Sequence, residues 1–268
     1  MRGKVLSMER HDIVKGFYGK YNEDGRLDRS RHGQLEYRTT MAFIHRFLSP
    51  CAKVLEIGAG TGRYSLALAK EGFDVTALEL AESNLAILKD NSRSLKNIRA
   101  IQGDAVDLSR FDDDSFDITL ALGPMYHLYE SNEIQKAIDE AIRVTKSGGT
   151  LLFAFLSVYA IMYSNYLVDN WTAGQDENFT DEYAVRHFKE QLFTGYDIEE
   201  FEALFKSKPV SHITTAGMDG MLEALEPRAD FALSDDDFEK FSAWQLALSE
   251  KRELLGSNSH LLYICNKK

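Results

Sequence analysis

Three carboxylates and one cluster of glycines carry most of the chemistry legible in this chain. An apolar run stops at Glu56, and glycines follow at alternate positions, Gly58, Gly60 and Gly62, in the stretch VLEIGAGTGRYS. Glycine tolerates positive φ and lets a ligand approach the backbone, and the helix that follows offers free N–H groups at its start. Glu79 closes the next apolar run about twenty residues on, the place of a carboxylate that accepts from ribose hydroxyls. Asp104 follows a third apolar run in GDAVDL, and is either an acceptor for an amine or a loop-capping Asx turn. Further on, ALGPMYHLYE presents Tyr126 and His127. An imidazole titrates near neutral pH, so His127 is a candidate general base or a wall residue. Tyr126 either lines a pocket or packs beneath a covering segment.

Those residues need elements to hold them. KVLEIGA, DVTALEL, IRAIQGD, FDITLALG and GTLLFAFLS read as strands, and TGRYSLALAKEG, SNLAILKDNSRSL and SNEIQKAIDEAIRVTK as helices between them. This alternation predicts an α/β, Rossmann-like, doubly wound and mostly parallel sheet. QLEYRTTMAFIHRFL forms a helix closed by Pro50, DIEEFEALF another, and KPVSHITTAG and HLLYICNK two closing strands around a helical SDDDFEKFSAWQLALSEKREL. We therefore expect an N-terminal helical cap over 1–48, a core over 49–157, a helical lid insertion over 158–196, and the remainder of the core over 197–268. In such sheets ligands sit beyond the carboxyl ends of the strands, which extra segments of this size commonly cover.

Composition narrows the partners. The 268 residues carry a net charge of −11, and no Lys/Arg cluster forms the basic face that phosphate backbones require, so no nucleic-acid partner is expected. Two cysteines, Cys51 and Cys265, make neither a zinc spacing nor a disulfide framework, and no metal is expected. The N-terminus has no apolar signal core. LLFAFLSVYAIMYSNYLV is long enough to cross a membrane, but Ser157, Tyr159, Tyr163, Ser164, Asn165 and Tyr166 interrupt it, and a buried strand running into an aromatic helix explains it better. A cytoplasmic protein with no membrane partner, monomeric or homodimeric, is the expectation.

The dinucleotide fingerprint G-x-G-x-x-G/A fails at Arg63. Instead, E-x-G-x-G-x-G with Glu79, GDAVDL and AIRVTKSGGTLLFAF in that order resemble the class I S-adenosylmethionine-dependent methyltransferases. The resemblance is firm over about residues 50–157 and looser over the last two strands. It departs at Ser147, where the family usually has proline. It implies a seven-stranded sheet with an antiparallel last strand, S-adenosyl-L-methionine as cofactor, and cofactor contacts from Tyr21, Glu56, Gly58, Ala59, Gly60, Thr61, Gly62, Glu79, Leu80, Asp104, Ala105 and Leu122. Asp104 then matches the acceptor for the adenine amine and Ala105 the backbone N–H facing the ring, while Glu56 lies below the methionine tail. Gly123 and Met125 break the Asp/Asn-Pro-Pro-aromatic motif of enzymes that methylate base or glutamine amino groups, so the resemblance implies a small organic acceptor. His127 and Tyr126 are its candidate catalytic residues. Phe17, Tyr18 and Tyr21 either close over the cofactor or form the buried face of a helix, and Tyr159, Met162, Tyr163, Tyr166 and Trp171 suggest an aromatic lid or a dimer contact. The rival readings are an NAD-dependent oxidoreductase and a non-catalytic S-adenosylmethionine-binding regulatory protein.

Overall fold

The computed structural model describes residues 10–21, 23–167, 179–188 and 192–268. Trp171 and the Tyr166 side chain, both read as parts of a lid, lie outside what is described.

Helix α1 (Arg10–Tyr18) is followed by a short 3-10 turn (Arg26–Asp28) and helix α2 (Arg31–Phe47). Ser30 caps α2 by accepting from the Gly33 N–H. The βα alternation then runs β1 (Lys53–Ile57), α3 (Arg63–Lys70), β2 (Asp74–Glu79), α4 (Glu82–Asn91), β3 (Ile98–Gln102), β4 (Phe116–Ala121), a 3-10 turn (Pro124–His127), α5 (Ser131–Val144) and β5 (Thr145–Ser157). After β5 come α6 (Val158–Leu167), the two-residue β6 (Gly195–Tyr196), α7 (Ile198–Ala203), β7 (Val210–Gly217), α8 (Leu222–Leu225), α9 (Asp235–Leu248), α10 (Arg252–Leu255) and β8 (His260–Lys267). The apolar stretch at 151–168 is thus a strand running into a helix, and no described helix is long and apolar enough to cross a membrane.

The strands lie in the order β3-β2-β1-β4-β5-β8-β7, with β6 pairing β5 off that path. The expected count was seven; the described residues form eight strands, because Gly195 and Tyr196 add a short parallel rung beside Leu156 and Ser157. β8 runs antiparallel to both β5 and β7, and the β1, β2, β3, β4 and β5 pairings are parallel. The central strands read as near-continuous apolar runs because both faces are covered. Leu55, Ile57, Phe153 and Phe155 pack on one face with α5 and α7, while Val54, Leu120, Leu152 and Ile264 pack on the other.

Helix α2 belongs to that second layer, since Met41, Phe43 and Ile44 are buried against the sheet. Its Leu35 meets Leu222 and Phe238 of α8 and α9. The expected N-terminal cap therefore divides: α1 and the following 3-10 turn border the carboxyl ends of the strands, and α2 is core. Among the described residues of the insertion, α6 is helical and an isolated bridge pairs Phe179 with Val185. Of the two cysteines, Cys265 is buried and Cys51 is exposed.

Candidate active site

Two cavities adjoin at the carboxyl ends of the strands. The first, about 930 Å³ counting its open mouth, is bounded by the glycine turn after β1, the ends of β2 and β4, the Gly103–Ala105 loop and the inner face of α1. Its floor is the turn itself. Gly58 and Gly60 have φ of 74° and 56°, where L side chains are strained, and a Cβ on Gly58 would lie 2.9 Å from Pro124 Cδ. The N–H groups of Gly58 and Ala59 both donate to the Leu78 carbonyl, at 2.8 and 2.9 Å, which locks the turn onto β2.

Glu79 is the pivot of this cavity. It is only 5% exposed, and its carboxylate accepts from the Gly60 N–H and the Ala81 N–H, both at 2.7 Å. Burial raises its pKa, and the two backbone donors work against that rise. The carboxylate holds two turns together and retains lone pairs for a ligand hydroxyl. Asp104, across the cleft, is engaged by α1: Arg10 Nη2 donates to it at 2.7 Å, His11 lies against the same oxygen, and Arg10 Nε also donates to Glu133 at 2.9 Å. Burial opposes ionisation of Asp104, but Arg10 and His11 outweigh it and its pKa falls. Helix α1 is thereby latched over the cleft, with Val14 and Tyr18 facing inward.

Of the residues expected to meet a cofactor, Gly58, Ala59, Gly60, Thr61, Glu79, Leu80, Asp104, Ala105 and Leu122 line this first cavity. Three do not. Glu56 is 1% exposed and points beneath the turn to Ser65 of α3, which donates to it; burial lifts its pKa to about 8 despite that bond. Gly62 starts α3 at φ 93°, and its missing side chain makes room for Leu88 and Leu66. Tyr21 stacks on Phe17, ring centroids 5.1 Å apart, and lines the second cavity; Tyr18 is the N-terminal aromatic that reaches the first.

His127 was open between a general base and a wall residue, and its contacts are those of a wall residue. Its Nε2 lies 3.0 Å from the Tyr18 hydroxyl and its Nδ1 2.8 Å from the Leu192 carbonyl. A carbonyl can only accept, so Nδ1 carries the proton and Nε2 accepts from Tyr18. Burial pushes its pKa down to about 4, against the favourable Leu192 contact, and neither nitrogen is left for a substrate proton. Tyr126 donates to the Leu122 carbonyl at 2.8 Å and stands on the wall between the cavities.

The second cavity, about 1580 Å³ with its opening, shares Tyr18, Glu23, Arg26 and Tyr126 with the first. One side is apolar, from Phe17, Phe193, Leu156, Ala160 and Ile161. Its polar lining includes Glu23, Arg26, Glu223 and His260, which no local sequence pattern marks. Arg26 donates to Glu23 at 2.9 Å and to both oxygens of Glu36, at 2.8 and 3.0 Å. Glu36 also faces His260 Nδ1 at 3.8 Å, and Arg26 and His260 overcome its burial, holding its pKa at about 2. His260 Nδ1 is 2.7 Å from Asp219. Burial alone would lower the His260 pKa, but Glu36, Asp219 and Glu223 raise it to about 9. Asp219, Glu223 and His260 come within 4.8 Å of one another in a metal-like grouping, where no metal-binding set was expected.

A doubly wound sheet with a glycine turn, an acidic strand end and a cleft over both defines a nucleoside-cofactor protein. The family model described as a methyltransferase domain matches residues 55–153. The chain is 32% identical over 182 residues to the demethylmenaquinone methyltransferase of Renibacterium salmoninarum, covering 66% of this chain and 73% of the relative. It is also 32% identical over 194 residues to the ubiquinone/menaquinone biosynthesis C-methyltransferase UbiE of Zymomonas mobilis, covering 67% and 76%. The PH0226 protein of Pyrococcus horikoshii shares the fold, with a TM-score of 0.63 at 18% identity over 95% of this chain and 99% of that one. The chain belongs to the class I S-adenosylmethionine-dependent methyltransferases, and S-adenosylmethionine is its cofactor. Neither the oxidoreductase nor the non-catalytic reading finds support.

Proposed function

We propose that this enzyme methylates a ring carbon of an aromatic hydroquinone bound in the second cavity. The observation that carries the reading is the pair of adjoining cavities with a common wall of Tyr18, Glu23, Arg26 and Tyr126, which suits a donor on one side and a flat apolar acceptor on the other. The names of the relatives, a demethylmenaquinone methyltransferase and a quinone-biosynthesis C-methyltransferase, favour a quinol over other aromatic acceptors.

The first cavity suits the donor. Glu79 would accept from the ribose hydroxyls, Asp104 and the Ala105 N–H would meet the adenine edge, and Leu80 and Leu122 would flank it. Gly58, Ala59, Gly60 and Thr61 would bring backbone close to the amino-acid tail. Glu56 and Gly62 serve the turn from below, and Tyr21 belongs to the acceptor side. S-adenosylmethionine would supply its sulfonium methyl group by in-line displacement and leave as the neutral thioether S-adenosylhomocysteine, while the ring hydrogen that the methyl replaces is released as a proton to water. The protein contributes position: holding reactants in a near-attack arrangement is worth about 7–11 kcal/mol of barrier. Tyr126 and Tyr18 form the wall at which the partners meet. With both nitrogens committed, His127 fixes the Tyr18 hydroxyl rather than taking an acceptor proton. Helix α1 covers the donor and excludes water, since Arg10 ties it to Asp104 and Glu133.

The test is direct. Purified protein is incubated with S-adenosylmethionine and, separately, a prenylated 1,4-naphthohydroquinone, a simple phenol and a primary amine. Mass spectrometry detects added methyl, and NMR locates it. Methyl on a ring carbon of the hydroquinone is expected. Turnover of the amine alone would overturn the acceptor assignment.

A further inference from the structure

The polar end of the second cavity holds a paired imidazole with one nitrogen uncommitted. Asp219 is fully buried and its carboxylate is saturated from one side: Oδ1 accepts from the Ser259 and His260 N–H groups at 3.0 and 3.2 Å, and Oδ2 from His260 Nδ1 at 2.7 Å. Those contacts fix the His260 ring at the start of β8 and assign the Nδ1 proton. Nε2 has no hydrogen-bond partner among the described residues, and His260 lines the cavity. Neighbouring Glu36 bridges His260 to Arg26, which lies on the wall shared with the donor cleft.

The grouping of Asp219, Glu223 and His260 resembles a cation site only by distance. Both oxygens of Asp219 already accept from N–H groups and Nδ1 of His260 is a donor, so two of the three ligands are engaged within the protein. A partly exposed imidazolium, held charged by the carboxylates of Asp219, Glu36 and Glu223 around it, keeps one free N–H that can donate to an oxygen. It shares the cavity with apolar residues that suit a flat ring, Phe193 and Ile161 among them, and Leu156 is its cross-strand neighbour.

We propose that the His260–Asp219 pair is the polar anchor of the acceptor cavity: Nε2–H of His260 donates to an oxygen on the acceptor's ring, selecting phenols and hydroquinones over oxygen-free aromatics. This rests on the aromatic acceptor proposed above for the same cavity. His260 is the contact residue, and Asp219 is a positioning residue that fixes its ring and proton. The anchor orients the ring while the shared wall presents one of its carbons to the donor.

The experiment uses the full chain saturated with S-adenosylhomocysteine. Binding of 1-naphthol and of 1-methylnaphthalene is measured for wild type and for His260→Phe, with a melting curve confirming that each is folded. Wild type is expected to prefer 1-naphthol by about 10-fold or more, the scale of one hydrogen bond to a charged group, and the preference is expected to vanish in His260→Phe. In parallel, ¹⁵N-histidine spectra of wild type, assigned with His260→Gln, are expected to show the His260 Nε2 resonance moving with 1-naphthol and not with 1-methylnaphthalene. This readout stands even where His260→Phe fails to fold. No preference in wild type, a preference retained in His260→Phe, or an unmoved Nε2 resonance overturns the anchor. A wild type that binds 1-naphthol through His260 yet methylates no hydroquinone keeps the anchor and overturns the proposed function; hydroquinone turnover with no role for His260 does the reverse.

Discussion

Replacing Glu79 by alanine separates the two tasks its carboxylate performs. In the free protein it accepts from two N–H groups, and the two differ in access. Gly60 lines the open cleft, where water can replace the lost acceptor. Ala81 is 1% exposed, so its N–H loses its partner outright, at a cost of about 1–3 kcal/mol. For a chain of this size that corresponds to a fall in melting temperature of roughly 2–10 °C. In the complex, each hydrogen bond between the carboxylate and a ribose hydroxyl is worth about 1.5–3 kcal/mol, so loss of one weakens binding by roughly 10- to 100-fold. Glu79→Gln keeps one acceptor oxygen and is expected to fall between wild type and Glu79→Ala in both quantities. Differential scanning fluorimetry gives the first, and calorimetric titration with S-adenosylhomocysteine the second. A folded Glu79→Ala protein that binds S-adenosylhomocysteine within about 2-fold of wild type would refute the ribose assignment, because a buried charged acceptor cannot be removed from a real contact at so small a cost.

Two further substitutions probe the scaffold. Glu56 has a folded pKa of about 8 against an ordinary carboxyl value, so the folded state binds the extra proton; the stability this gives is present at pH 4 and is lost as pH rises through 8. Glu56→Gln, which mimics the neutral acid, is expected to match wild type in urea unfolding near pH 4 and to exceed it near pH 9; equal pH slopes for the two proteins would contradict the buried neutral carboxyl. Gly62→Ala places a methyl group against Leu88 at a φ of 93° and is expected to lose about 1–3 kcal/mol of stability by denaturant titration although Gly62 lies outside the cleft wall; an unchanged midpoint would show that α3 can shift freely against α4.

Much of the architecture was legible because the physics is local. Strands covered on both faces read as apolar runs, helices show their own period, and Gly58, Gly60 and Gly62 mark a turn that needs positive φ. Even the position of Glu56 follows from strand alternation: it shares a face with Val54, which packs on the α2 and α3 side, and so points under the turn rather than into the cleft. The placement of Tyr18 and Tyr21 was not legible in this way. They are three residues apart at the end of α1, where Tyr21 stacks on Phe17 while Tyr18 reaches His127, and spacing alone does not choose between those contacts. The network of Arg26, Glu36, Asp219 and His260 was the least visible. Glu36 sits in a helix that reads as amphipathic, where an acidic residue suggests solvent, and His260 opens a strand far along the chain. Only the insertion of β8 between β5 and β7 brings them together, and that pairing leaves no mark on any single segment. The paired Nδ1 and Nε2 of His127 were equally hidden, since their partners are a tyrosine from α1 and the Leu192 carbonyl near the end of the insertion.

The central claim is that donor and acceptor occupy the two cavities and meet at their common wall. A crystal structure with S-adenosylhomocysteine and a naphthohydroquinone bound together tests it most directly. The account predicts the nucleoside against Glu79 and Asp104, the ring between Phe193 and His260, and the sulfur facing the ring past Tyr18 and Tyr126. A nucleoside in the second cavity, or a ring bound with no open path to the sulfur, would contradict it.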